Sequence, residues 1–253
     1  MPVDKFLEAI QKGDFKKVKE NFERISDKSP RMDLLDCGLE LAIQVKNSEV
    51  IKYLMDQIGH QGVRIKKGDF VESERVLPLN IAVKYNNMAA VKYLVKNGAD
   101  VNTKDFNDET PLIYACKHRN LEVLKYLIAQ GAKEGMAEAL TVSAGFGEIE
   151  IVKYLLKKGA NPNEKGFYRS PLASAARSGS LDVVKYLLKK GAKTKDKAII
   201  EAVGSHSPET VRYLLKKGAH VNAKDGFGFS VLDIAEKNSY LSMTKLLKKH
   251  GAK

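Results

Sequence analysis

The stretch Val183-Val184-Lys185-Tyr186-Leu187-Leu188-Lys189-Lys190-Gly191-Ala192-Lys193 decides how the rest of the chain is read. Its apolar residues at 183, 184, 187 and 188 fall on one face of a helix, and the glycine after the last turn is a left-handed stop. The phrase recurs, as A-V-K-Y-L-V-K-N-G-A-D-V-N at 90–102, V-L-K-Y-L-I-A-Q-G-A-K at 123–133 and I-V-K-Y-L-L-K-K-G-A-N-P-N at 151–163. It returns again as T-V-R-Y-L-L-K-K-G-A-H-V-N at 210–222, in shortened form as V-I-K-Y-L-M at 50–55, and degraded at 243–253. A helix this short is marginal alone in water, so each copy has to bury its stripe against neighbouring copies.

About ten residues upstream of each phrase lies a second short apolar segment with small residues, as in Pro111-Leu112-Ile113-Tyr114-Ala115-Cys116 and Pro171-Leu172-Ala173-Ser174-Ala175-Ala176. Thr110-Pro111 and Ser170-Pro171 place a capping hydroxyl before a proline that suits the first helical position. Asn120, Ser180 and Ser207-Pro208 are expected to open the second helices in the same way. Small residues recur at one slot of the first helices, Ala82, Ala115, Ser143, Ala175, Ala202 and Ala235, where they let helices approach closely. The tyrosines at 53, 93, 126, 154, 186 and 213 sit within the apolar stripe and read as packing at the edge of the core rather than as a ladder for stacking bases.

This unit of helix, turn, helix and glycine resembles the ankyrin repeat, with its D-x-x-G-x-T-P-L-H-x-A-A finger and first helix followed by G-x-x-E-I-V-x-L-L-L-x-x-G-A-D-V-N. The run from Asp105 through Thr110-Pro111-Leu112 to Gly131-Ala132 carries the likeness nearly throughout. The resemblance implies an all-α fold, an ankyrin-repeat solenoid of stacked helix-turn-helix units, as a single domain over 1–253. Eight units are expected, at about 3–28, 33–60, 75–104, 105–132, 136–164, 165–192, 196–223 and 225–253, the first resembling an N-terminal cap.

Two departures from a regular array stand out. The glycine-rich and charged stretch at about 59–74 inserts residues between the second and third units, either as a tolerated surface insertion or as a functional loop. The second departure is an alternation: Tyr93, Tyr126, Tyr154, Tyr186, Tyr213 and the equivalent Leu246 are separated by 33, 28, 32, 27 and 33 residues. After Gly131 and Gly191 the chain passes straight into the next helix, so finger hairpins are expected only at alternate repeats, at 101–109, 161–169 and 221–229.

Composition closes off several classes of function. With 43% hydrophobic and 29% charged residues the chain is of foldable composition, and no run approaches 18 consecutive apolar residues. The first residues, Met1 to Glu8, mix both charge signs, so no signal peptide is expected and the expected location is the cytoplasm, or a host cytosol for an effector. Cys37 and Cys116 lie too far apart for a clustered metal or disulfide framework and read as reduced core thiols. The five histidines show no metal-ligand spacing, and neither a P-loop nor a nucleophile elbow occurs, so no catalytic residue, metal or cofactor is expected. Gly145-Phe146-Gly147 belongs to a helix-helix turn.

The formal charge of +12 comes largely from lysine, 35 of the 43 basic residues. On the second helices Lys92/Lys96, Lys153/Lys157, Lys185/Lys189, Arg212/Lys216 and Lys245/Lys249 form i, i+4 pairs opposite the apolar stripe, a basic ridge. Its two readings are a solvated outer face, helped by lysine near helix C-termini, and a surface for nucleic acid or another polyanion.

The resemblance also directs attention to the finger tips and the inner faces of the first helices, where ankyrin arrays bind proteins. There the chain carries Phe106, Phe167 with Tyr168, and Phe227 with Phe229. Helix-start and turn positions add Tyr85 beside Lys84, Glu109, Lys117, His118, Phe146, Arg169 and Arg177. Aromatic and arginine side chains are the usual anchors of protein interfaces. The rings either fold back on their own hairpins or stand free as a row of anchors. The expected function is a non-catalytic protein-protein interaction module, an adaptor, effector or stoichiometric inhibitor, monomeric and met by a partner that can carry acidic patches. The runner-up is electrostatic binding of nucleic acid or another polyanion by the lysine ridge; insertion into a membrane is not expected.

Overall fold

The computed structural model describes residues 2–25, 28–60 and 77–253, so most of the expected insertion at 59–74 lies outside the described residues. Sixteen helices and no strand occur among them, in two compact units, Met1–Ala132 and Lys133–Lys253. The first unit holds α1 (Pro2–Gln11), α2 (Phe15–Glu23), α3 (Lys28–Gln44), α4 (Ser48–His60), α5 (Pro78–Lys84), α6 (Met88–Lys96), α7 (Pro111–Lys117) and α8 (Leu121–Ala129). The second holds α9 (Met136–Gly145), α10 (Ile149–Lys157), α11 (Pro171–Arg177), α12 (Leu181–Lys189), α13 (Lys195–Gly204), α14 (Pro208–Lys216), α15 (Val231–Lys237) and α16 (Leu241–Lys249).

Within each unit consecutive helices pair, and the first helices of the pairs stack on one another. In the first unit α1, α3, α5 and α7 form one layer and α2, α4 and α6 another; in the second unit the layers are α9, α11, α13, α15 and α10, α12, α14. The layers approach closely because the recurrent small slot is fully buried: Ala82, Ala115, Ser143, Ala175, Ala202 and Ala235 all have no accessible surface. From the second helices Val183, Val184 and Leu187 enter the core, as do Ile151, Val152 and Leu155 one pair earlier. The stripe is narrower than the sequence suggested, for Leu156, Leu188 and Leu215 are only half-buried. Removing a side chain such as Leu187 from water contributes roughly 1.5–3 kcal/mol.

The helix ends follow the capping chemistry in part. Thr110 and Ser170 accept the backbone N–H of Ile113 and Ala173 before a proline at the first turn, and Ser230 forms a reciprocal capping box with Asp233. Asn120 caps α8 through the N–H of Val123. Ser180 and Ser207 occupy the N-cap positions of α12 and α14 without a side-chain bond to the helix. Their hydroxyls pair instead with Ser178 (2.8 Å) and Ser205 (3.3 Å) two residues earlier, which removes them from the capping role expected of them.

Left-handed residues make the two sharp bends of each pair from α5 to α16. The stop after the second helix is glycine, with φ of 93° at Gly131, 97° at Gly159, 89° at Gly191 and 85° at Gly218. The turn between helices is also left-handed, but the chain uses Gly147 and Gly179 there in some pairs and Arg119, His206 and Ser239 in others. Cys116 is buried as expected. Cys37, on the long helix α3, is exposed, so the reading of both thiols as core residues fails for Cys37; neither forms a disulfide.

Candidate partner-binding site

The fingers are where the backbone leaves the helical layers. Asp105 and Asp225 each build one from a single carboxylate. The Asp105 Oδ1 accepts the N–H groups of Asn107 and Glu109, both at 2.9 Å, and the Asp225 Oδ1 accepts those of Phe227 (2.8 Å) and Phe229 (3.0 Å). The backbone then closes the turn between residues four apart, Asp105 N–H to the Glu109 carbonyl and Asp225 N–H to the Phe229 carbonyl. Asp108 and Gly228 sit at the left-handed position this turn requires. An isolated antiparallel bridge, Lys224 with Ser230, is all the β-structure the third finger forms.

The middle finger is built differently because Lys165 stands where the other two have aspartate, and an ammonium accepts no hydrogen bond. Its turn closes one residue tighter, Gly166 N–H to the Arg169 carbonyl at 3.0 Å. The missing carboxylate comes from α9, where Glu138 accepts the backbone N–H of Phe167. Gly166 is held so close that a Cβ there would collide with Glu138 Oε2 and lie 2.9 Å from Thr141 Cβ.

Aligned on these turns, the aromatics do not share one register. Phe167 and Phe227 occupy the slot of Asn107, whereas Phe106 occupies the slot of Gly166 and Gly226. The rings do not fold back into the core. Phe227 and Tyr168 are each 89% exposed, Phe106 63%, Phe167 49% and Phe229 47%. Phe167 meets Tyr168 edge-on at 6.5 Å, and Lys237 lies over the Phe229 ring at 5.4 Å.

Between the two aromatic fingers of the second unit lies an ionic cluster that sequence reading missed. Arg169 donates through Nε to Glu201 Oε1 at 2.8 Å, and Arg177 donates through Nη1 to Glu201 Oε2 at 3.2 Å. The two arginines are thus gathered on one carboxylate of α13, the helix whose repeat has no finger. Phe146, at the C-terminal end of α9, is exposed at the helix-helix turn.

In the first unit the remaining candidates form two further groups. Lys117 pairs with Glu109, a carboxylate side chain only 13% exposed. Tyr114 donates its hydroxyl to Asp105 Oδ2 at 2.9 Å, and His118 stacks on Tyr114 with ring centres 6.3 Å apart. Burial, then the bond to Asp105 and the charges of Asp105 and Glu109, push the Tyr114 phenol far up, so it stays protonated. Burial and then the ammonium groups of Lys84 and Lys117 hold the His118 imidazole below its ordinary value. Tyr85, half-buried at the end of α5, donates to Glu40 Oε1 at 3.4 Å with Lys84 over its ring at 5.2 Å. Among the described residues no group of three His, Cys, Asp or Glu side chains stands close enough to hold a metal ion, and no helix is long and apolar enough to cross a membrane.

The finger bases are tied to the next repeat by one asparagine. Asn163 donates to the Gly191 carbonyl at 3.0 Å and accepts the Lys193 N–H at 2.9 Å; Asn102 donates to the Gly131 carbonyl, and Asn222 accepts the Lys253 N–H.

Comparison with known proteins places this geometry in a family. A model of ankyrin repeats in three copies matches residues 7–105, 39–137 and 134–198, and a model of ankyrin repeats in many copies matches 196–247. The crystal structure of the human ASB11 ankyrin repeat domain superposes with a TM-score of 0.68 at 26% identity, covering 84% of this chain and 96% of that one. The ankyrin repeat domain of Bcl-3, described as a unique member of the IκB protein family, superposes with a TM-score of 0.61 at 26% identity, covering 83% of this chain and 97% of that one. The putative ankyrin repeat protein FPV230 of fowlpox virus (strain NVSL) is 39% identical over 75 residues, 30% of this chain; the match spans 36% of that protein's length.

Proposed function

Since the chain belongs to the ankyrin-repeat family, we propose that it is a non-catalytic protein-binding module whose partner is gripped by the fingers of the second unit. The observation that carries this reading is the exposure of Phe167, Tyr168, Phe227 and Phe229 on rigidly closed turns. An exposed phenylalanine leaves apolar surface in water, and a partner that covers it recovers about 25 cal/mol per Å². Rigid aromatics lose little entropy on binding, which is why they serve as anchors.

The two aromatic fingers are separated by one fingerless repeat. Two helix-packing steps of roughly 8–10 Å put them about 20 Å apart, the reach of about six extended residues. The Arg169–Glu201–Arg177 cluster lies in that interval, and its two cations against one carboxylate suit a partner with an acidic residue midway between two apolar ones. The reading includes a single copy of the chain acting stoichiometrically in the cytosol, as an adaptor, an inhibitor or an effector.

A photo-crosslinking amino acid placed at Phe227 tests it in extract of the source cells. One dominant adduct at Phe227, absent when the same probe replaces exposed Glu122, is the expected result. Equal or absent labelling at the two positions would remove the fingers from consideration.

A further inference from the structure

The positive charge of the chain is segregated. The four second helices of the second unit with the residue after each (149–158, 181–190, 208–217 and 241–250) carry twelve Lys or Arg against three Asp or Glu, a formal +9 of the chain's +12. The remaining residues of that unit are close to neutral, with ten basic side chains and nine acidic.

Local ion pairs narrow this charge further. Near the start of three of the four helices an acidic residue neutralises the first basic one: Glu150 with Lys153 at 2.8 Å, Asp182 with Lys185 at 3.7 Å, and Glu209 with Arg212; in the fourth, α16, Lys248 pairs with Glu236 of α15 at 3.0 Å. The doublets at the helix ends, Lys157/Lys158, Lys189/Lys190 and Lys216/Lys217, are exposed and have no carboxylate partner among the described residues. The second of each doublet lies 5.6 Å from the centre of a half-buried tyrosine, Tyr154, Tyr186 or Tyr213, which fixes where its ammonium stands. Because α10 packs on α12 and α12 on α14, the three doublets form a line about 20 Å long.

The fold itself does not demand these doublets. The equivalent helix ends in the first unit read Lys96-Asn97 and Ala129-Gln130, with the same glycine stop after them. A lysine near a helix C-terminus gains from the dipole, but a second one beside it repels the first.

We propose that this edge of the second unit is a binding strip for the phosphate backbone of a nucleic-acid duplex, separate from the protein-binding fingers. A line of uncompensated ammonium groups fits a linear polyanion, and duplex DNA offers one charge per ~1.7 Å of axis. A membrane would call for charge spread over a plane. A protein partner would call for aromatic or arginine anchors, and on this edge the tyrosines are half-buried beneath lysine while the exposed rings of the second unit are on the fingers and, for Phe146, at the turn between α9 and α10. The same covering of the tyrosines leaves no platform on which bases of a single strand stack, so recognition is of the backbone and independent of sequence.

Fluorescence anisotropy of a labelled DNA duplex, titrated with the full chain, tests the strip. The expected result is binding at low salt that weakens by about 10³-fold between 50 and 200 mM salt, as for about six phosphate contacts. Replacing Lys157, Lys158, Lys189, Lys190, Lys216 and Lys217 by glutamine abolishes that binding and its salt slope, replacing them by arginine preserves both, and F167A/F227A leaves them unchanged. Three results would overturn the proposal: no duplex binding at low salt, duplex binding retained by the glutamine variant, or binding to phosphatidylserine vesicles or polyglutamate as tight as to the duplex.

Discussion

Glu138 of α9 accepts the backbone N–H of Phe167, a residue in the finger that follows, and so stands in for the aspartate that the first and third fingers carry within their own turns. The geometry of one repeat's finger therefore depends on a side chain of the repeat before it. Glu138→Ala is expected to lower stability by about 1.5 kcal/mol through loss of a charge-assisted bond, and Glu138→Gln, which keeps an acceptor, by less. Gly166→Ala, whose methyl would enter the space of Glu138 and Thr141, should displace the same turn. Urea unfolding of the three variants checks this, and identical midpoints for Glu138→Ala and the wild type would show that the bond holds nothing.

Asn163 joins its finger base to the stop of the next helix pair through two hydrogen bonds, to Gly191 and from Lys193. Asn163→Ala should cost about 1–2 kcal/mol, and Asn163→Asp, which keeps only the acceptor, an intermediate amount. Thermal unfolding of both variants provides the comparison.

Leu187 is fully buried between layers. Leu187→Ala is expected to destabilise by about 2–5 kcal/mol, the sum of lost transfer energy and the cavity left behind. Because none of the hydrogen bonds that close the finger turns involves Leu187, partner affinity measured well below the lowered midpoint should stay at the wild-type level.

The left-handed turn at Ser239 asks a residue with a Cβ to adopt φ of 57°. Ser239→Gly should raise stability by about 0.5–1 kcal/mol, the relief of left-handed strain less the entropy glycine loses on folding. A calorimetric midpoint that falls instead would mean that the serine side chain is holding the turn.

His118 gives a pH dependence of definite sign. Its folded value lies below the ordinary 6.5, from burial and from the nearby Lys84 and Lys117 ammonium groups, so the unfolded chain takes up the proton first. The stability tied to neutral His118 is complete above pH 6.5 and is lost as pH falls through that value to the lowered folded one. His118→Gln should flatten the stability profile between those limits while leaving it unchanged at pH 8, a point above the titration.

Much of the fold is legible in the sequence because its signals repeat. The Y-L-L-K-K-G phrase sets helix, stripe and stop together, and the alternating spacing of Tyr126, Tyr154, Tyr186 and Tyr213 gives away which repeats lack fingers. What was hidden depends on single positions. The exchange of aspartate for Lys165 alters the turn and shifts which slot holds the aromatic, and a tally of rings per finger does not register it. Glu201 lies 32 residues from Arg169 and 24 from Arg177, so their meeting needs the packing of α11 on α13. Cys37 stands two positions from each of the buried Leu35 and Leu39, about 200° around the helix from both, so it falls on the exposed side of α3, and cysteine spacing alone does not register this. The charge segregation was visible as a lysine ridge, but the pairing that confines free charge to the helix ends was not.

The central claim is that the exposed rings of the second unit hold a partner protein. Its most direct measurement is quantitative affinity purification from source-cell extract with the wild-type chain and with F167A/F227A/F229A, the variant first shown by circular dichroism and thermal melting to fold as the wild type does. One protein recovered in near-stoichiometric amount by the wild type and lost with the variant is the predicted result. Recovery of the same proteins in the same amounts by both would contradict it.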